Sequence, residues 1–292
     1  MPITSRINLV LVAIATLALA ACGGGGATSS GGAPAVTYRV LNLSTGAVTT
    51  ETGINLGDAQ YTSTKMVFCQ APAGTLTRGS LPSSLGHDST NEGPGTTAVA
   101  MPAMWMAVFE MTQGQWTALT GDSANQPWRS ITPTSVTASN FTGATLPAFG
   151  LTEGELDATV NAWNGVTGRI GQVAIPTNDQ WEYACRGPTT TLFFWGNDLA
   201  TATAASFAVT RETATGATGP RSVISGRFSN GFGLWDMVGN VRERTKDGGN
   251  YDLRGGGWSD NLLRCRSANL ITSVDTYRHA LSGARLVLSA PP

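Results

Sequence analysis

A chain of 292 residues with a formal net charge of −1 and no basic run offers nucleic acid no electrostatic footing, which excludes it as a partner class. Charged residues make up only 13% while glycine fills 36 positions, so the composition points to a loop-rich fold whose surface is made polar by Thr, Ser and Asn.

In chain order, Arg6 precedes an apolar run from Leu9 to Ala21 that is too short for a stable membrane span and suits a signal-peptide core, so residues 1–21 read as a cleaved leader. Leu19-Ala20-Ala21-Cys22 matches the lipobox of bacterial lipoprotein processing, which makes Cys22 the lipidated mature N-terminus and the membrane a partner through that anchor. Gly23, rather than Asp, follows the cysteine and favours the outer membrane over the inner one. The expected location is therefore the bacterial cell envelope, on the periplasmic or the surface face. Gly23 to Pro34 is almost wholly Gly, Ala, Ser and Thr, the composition of a flexible tether, so residues 22–36 form the lipidated stalk. Residues 37–292 fit one domain.

Within that domain the apolar pattern is short and strand-like at Tyr38–Leu43, Met66–Cys69, Met104–Phe109, Leu253–Arg254, Cys265–Leu270 and Ala284–Leu288. Three helices share one start signal, Thr followed three residues later by Glu or Gln, at Thr112, Thr152 and Thr177. They close near Gly121, Gly165 and Gly187, and the second carries Leu156, Val160 and Trp163 at helical spacing. The fold class is α+β, with small irregular sheets, few short helices and long loops. Glu153, Glu155 and Asp157 cluster at a helix start, where acidic groups serve the helix dipole. Cys69, inside Met-Val-Phe-Cys, reads as a buried thiol. His87 and His279 are far apart, with no second ligand at metal-like spacing.

The most distinctive stretch is Asn230-Gly-Phe-Gly-Leu-Trp-Asp-Met-Val-Gly-Asn-Val-Arg-Glu-Arg244, followed by Leu253-Arg-Gly-Gly-Gly-Trp258. It resembles the signature of the formylglycine-generating enzyme, or sulfatase-modifying factor, family, N-x-F-G-L-x-D-M-x-G-N-V-W-E-W and R-G-G-S-W. Ala73–Ser80, Phe109–Trp116, Ile175–Gly187, Phe194–Asn197, Cys265–Asn269 and Ser282–Val287 extend the likeness over roughly Met66 to Leu288. The resemblance implies a variant of the C-type lectin fold.

It also carries expectations about the site. Relatives have cysteines at positions 185 and 265, which implies a Cys185–Cys265 disulfide. The G-N-V-W-E-W loop commonly binds calcium in the family, which implies Asn240 and Glu243 as side-chain ligands with carbonyls from Val238 and Val241. On the residues alone, Asn240 could equally hold a turn and Glu243 pair with Arg242, Arg244 or Arg254. Catalytic members use two redox cysteines, and the position of the first falls here on Asp260. A carboxylate cannot replace a thiolate toward copper(I), so no copper is expected and no catalytic residue is assigned.

Departures from the family pattern gather toward the C-terminus, in Ser259-Asp-Asn261, Asn269-Leu270 and Tyr277–Leu281. These are the places that form the ligand face of lectin-like domains, and they resemble the variable region of retroelement-diversified surface lipoproteins. Trp258, Asp260, Asn261, Tyr277 and His279 are the candidate ligand-binding residues, for an unknown protein, peptide or glycan. The expectation is thus a non-catalytic ligand- or partner-binding lipoprotein, against the alternative of a formylglycine-generating-type oxidase or related protein-modifying enzyme.

Overall fold

The computed structural model describes residues 36–131, 141–214, 219–273 and 278–289. Cys22, the tether and Tyr277 lie outside them. Strands β1 (Thr37–Asn42), β2 (Val48–Thr52), β3 (Lys65–Ala71), β4 (Gly74–Gly79), β5 (Pro94–Met101) and β6 (Met104–Ala107) precede helices α1 (Gln113–Thr120) and α2 (Glu153–Asn164). Next come β7 (Gln172–Ala174), α3 (Asn178–Arg186) and the single turn α4 (Thr201–Ala204). The chain closes with β8 (Arg242–Asp247), β9 (Asn250–Arg254), β10 (Leu270–Ser273), β11 (Ser282–Ala284) and β12 (Val287–Ser289). They form a six-stranded sheet in the order β2-β1-β3-β6-β12-β7, a four-stranded sheet β10-β9-β8-β11 and the ribbon β4-β5.

Side chains alternate across a strand, so the unbroken apolar run of β3 is what a sheet buried on both faces requires. Val67 and Cys69 enter one core, with Val40, Met106, Trp181 and Cys185; Cys69 is buried as expected but is disulfide-bonded rather than a thiol. Met66 and Phe68 enter the other, with Leu41, Trp116, Leu156 and Trp163.

All three helix starts form as the sequence predicts. Thr112, Thr152 and Thr177 each accept the N–H of the residue three ahead, and the side chains of Gln115, Glu155 and Gln180 return to the N–H of the threonine. Gly121 and Gly187 close α1 and α3 in the left-handed conformation, whereas Gly165 ends α2 without it.

Two strand expectations need correction. Residues 265–269 form no strand: Leu262–Cys265 is a 3-10 turn, and pairing begins only at Leu270. Asn261 opens that turn by accepting the Arg264 N–H, and just after it Arg266 turns its guanidinium inward to both oxygens of Glu92. The final strand is split. β11 runs parallel to β8 and β12 antiparallel to β6 and β7, so the chain changes sheets at Arg285 and Leu286.

Candidate functional site

The glycine-rich segments fold into one stitched turn system. Asn230 accepts the N–H groups of Phe232 and Leu234 and donates to the carbonyls of Ala184 and Cys185, fixing the loop to the end of α3. Gly239 has φ +80, and a Cβ there would sit 2.2 Å from the Val209 carbonyl oxygen, so only glycine fits. Its N–H donates to Gly255, the Asn240 N–H to Val209 and the Trp258 N–H to Asn240, which joins the two glycine strings.

Under these turns lies a buried ionic network. Both oxygens of Glu243 accept from Arg285 at 2.7 to 3.0 Å, and Oε2 also accepts the indole N–H of Trp181 at 2.5 Å. Arg285, fully buried, spends its remaining donors on the carbonyls of Ala107, Val108 and Trp235. Glu110 accepts from Asn240 Nδ2 at 2.5 Å and from the Val241 N–H at 2.9 Å. Burial, with Asp236 and Glu243 nearby, pushes the Glu110 carboxyl well above the usual carboxylate range. Asp236 is held by Arg227.

The neighbouring loop is closed by a second pair. Arg242 donates to both oxygens of Asp260 at 2.8 and 2.6 Å, and Asp260 also accepts the Gly257 N–H at 2.9 Å. Asp260 is only 7% exposed.

The family profile described as "Sulfatase-modifying factor enzyme 1-like domain" matches residues 55–290. The chain belongs to this family. A formylglycine-generating enzyme of Mycobacterium tuberculosis (strain ATCC 25618 / H37Rv) is 42% identical over 79 residues, covering 24% of this chain and 26% of that protein. The matched stretch is thus about a quarter of the relative's length. Among solved structures, PvdO from Pseudomonas aeruginosa superposes with a TM-score of 0.64 at 20% identity, over 77% of this chain and 94% of that one. Treponema denticola variable protein 1 gives 0.60 at 17% identity, over 82% and 98%. These likenesses establish the fold.

Set against the sulfatase-modifying factor pattern, the calcium expectation does not fit the side chains. Glu243 is committed to Arg285 and Trp181, while Asn240 Oδ1 accepts the Arg221 N–H and its amide donates to Glu110. A guanidinium already supplies the positive charge. Arg285 is 42 residues from Glu243 and is none of the arginines the sequence suggested. Arg242 turns to Asp260, Arg244 to Glu153 and the Leu151 carbonyl, and Arg254 to Glu182. Among the described residues no cluster of three or more His, Cys, Asp or Glu is arranged to hold a metal ion.

The expected disulfide is also absent: Cys185 and Cys265 stand as free, fully buried thiols. Each has its own acceptors, Met237 O and Ser267 Oγ for Cys185 and Asn261 O for Cys265, all at 3.5 Å, which turns the sulfurs to separate partners. Burial pushes the Cys185 thiol up to about 12 and raises that of Cys265 well above its ordinary value. Both should therefore resist iodoacetamide in the native protein and react only after denaturation. Mass mapping of the alkylated peptides checks this, and rapid native labelling at either position would contradict the burial. The copper site of the catalytic members does not fit either, because Asp260, in the place of the first redox thiol, is neutralised by Arg242.

Of the described candidate recognition residues, none is fully exposed and one is withdrawn from the surface altogether. Asp260 is corrected to an internal ion-pair partner. Trp258 is half-buried, and its indole N–H is buried without a hydrogen-bond partner. Asn261 caps the 3-10 turn by accepting the Arg264 N–H. His279 is half-buried and accepts the Leu281 N–H at Nδ1. The acidic helix start proves to be an anchor for the C-terminal half: Glu153 meets Arg244, Glu155 meets Arg278, and Asp157 meets Lys246 and Tyr251.

One constellation escaped the sequence reading. Ser80 Oγ lies 3.0 Å from His87 Nδ1 and donates to Glu92, whose oxygens are gripped by Arg266. Burial acts against it, yet Arg266 and Ser80 hold the Glu92 carboxyl below its usual range, which makes it a poor base. The cluster clamps the 81–91 loop to the core. Glu92 and Arg266 are too far apart in sequence for any local spacing to announce it.

Proposed function

We propose that this protein is a cell-envelope lipoprotein, anchored through Cys22 on a flexible tether, whose sulfatase-modifying-factor domain binds a partner without catalysis. The observation that carries the reading is the Arg242–Asp260 pair: an arginine replaces the first tryptophan of the motif and binds a carboxylate in the place of the first redox thiol. Both members of the pair depart from the catalytic pattern together, and neither leaves a group free to bind copper. The binding residues we assign are the half-buried Trp258, Asn261 and His279, with Tyr277 a candidate on sequence alone, for a protein, peptide or glycan. A retroelement-diversified surface receptor is the form of such a module that the departures from the family pattern suit, and one structural neighbour is itself named a variable protein.

The deciding assay is aerobic incubation of copper-loaded protein with a Cys-x-Pro-x-Arg peptide, followed by mass analysis for the aldehyde. No product above a copper-only control is expected. Turnover that disappears in Cys265→Ser would overturn the reading in favour of an oxidase. In parallel, Cys22→Ser should abolish incorporation of a clickable fatty acid and release the protein from the membrane fraction; undiminished labelling would refute the anchor.

A further inference from the structure

After α3, residues 187–210 hold no lysine or arginine and one acidic residue, Asp198, while Arg211, Glu212, Arg221 and Arg227 follow before Asn230. Its aromatic residues form a ladder. Phe193, fully buried, stacks on Trp195 with centroids 4.5 Å apart and planes 4° from parallel. Trp195 stacks on Phe207 at 5.1 Å and 9°, with the Phe194 edge against both. Phe207 then meets Phe228 at 5.8 Å, and Phe228 is 57% exposed. The series thus leads from the core to an open ring.

Such exposure is costly for phenylalanine, and nothing about the loop forces it through disorder. The Phe228 N–H donates to Ser206 O, Phe193 and Gly196 exchange backbone hydrogen bonds, and the Trp195 indole donates to Asp198 O. Asp198 in turn accepts from the Ala200 N–H and the Thr203 hydroxyl. The platform is held in place before any ligand arrives, which lowers the ordering cost of binding.

We infer that this ladder is a stacking platform for a neutral carbohydrate, with a pyranose ring laid on Phe228. Three observations choose this occupant. The ring face carries negative charge that attracts the weakly positive C–H groups of a sugar. The hydroxyls of Thr201 and Ser206 and the amide NH2 of Asn197, on partly or fully exposed residues of the same segment, are the kind of partner that sugar hydroxyls use, while Asp198 and Thr203 are committed to each other. Residues 187–210 carry no cation, and Arg227, next to Phe228, is buried and paired with Asp236, so no free cation flanks the ring to attract an anionic polymer or lipid surface; an open patch centred on one ring is also far below the roughly 800 Å² per partner of a stable dimer. The inference goes beyond the binding role proposed above and depends neither on the Cys22 anchor nor on the loops around Trp258.

The test uses the full-length chain in a sugar-free detergent, titrated with cellotetraose, maltotetraose and N-acetylchitotetraose, with saturation-transfer NMR and tryptophan fluorescence as readouts. At least one sugar should bind saturably, with ring C–H protons receiving the strongest transfer. Phe228→Ala should weaken that binding at least tenfold with little change in melting temperature, and Phe228→Tyr should retain it. No saturable binding of any of the three, or binding untouched by Phe228→Ala, would overturn the proposal. A concentration-dependent dimer abolished by Phe228→Ala would overturn it too, by assigning the ring to self-association.

Discussion

Arg285→Met is expected to lower folding stability by about 3–5 kcal/mol, the range for breaking a buried ion pair by removing one partner. The side chain is fully buried, and methionine returns neither the charge nor the donors. Glu243 would be left with the Trp181 indole alone, and the carbonyls of Ala107, Val108 and Trp235 would lose their shared donor. Because those carbonyls belong to the end of β6 and the loop before β8, the loss should appear in global unfolding. Urea denaturation reads it as a lower midpoint at unchanged slope. Adding Glu243→Leu should recover only part of the loss, since the Ala107 and Trp235 carbonyls still lack the Arg285 donor while Val108 keeps the Trp235 N–H. A loss below about 1 kcal/mol would mean that water reaches the pair, contrary to its burial.

Trp181→Ala should cost a similar amount, about 3–5 kcal/mol, for a different reason. Trp181 is a fully buried side chain of α3, a Cβ on Gly255 would come within 3.0 Å of its ring, and the Arg254 guanidinium lies 5.9 Å from its centroid. Alanine leaves a cavity at the junction of α3, β9 and the glycine string. Trp181→Phe restores most of the volume but not the N–H donor to Glu243, so its smaller loss isolates the hydrogen bond, worth about 1.5–3 kcal/mol to a charged acceptor. Combined with Arg285→Met, either substitution should be non-additive, with a coupling of about 0.5–3 kcal/mol, because both meet at one carboxylate. Strict additivity would place Trp181 and Arg285 in separate environments and contradict the shared contact.

What the sequence made legible divides along the reach of the physics. A capping box is complete within four residues, so Thr112, Thr152 and Thr177 announced their helices without help from the rest of the chain. The apolar run of β3 likewise needed only its own alternation. The ionic network could not be read this way. Motif spacing suggested Arg242, Arg244 or Arg254 for Glu243 because they are near in sequence, whereas the partner that wins is Arg285, delivered by the change of sheet between β11 and β12. The same limit hid the Glu92–Arg266 clamp and turned an expected strand at residues 265–269 into a turn. Asp260 shows the error in reverse: its departure from the family pattern was legible, but exposure was inferred where Arg242 had departed to match it. The recognition face is the least legible part, because surface side chains carry little local constraint.

The position of β12 bears on how the protein is made. It sits inside the six-stranded sheet, between β6 and β7, yet it follows them after the whole of α3 through β11. A ribosome therefore delivers two exposed strand edges long before the strand that joins them, and pairing must wait for Val287–Ser289. A premature stop anywhere upstream of Val287 removes the bridge between β6 and β7, so nonsense alleles even a few codons before Val287 should behave as complete losses of the protein. Genetically, the last few codons of the domain weigh as much as its centre.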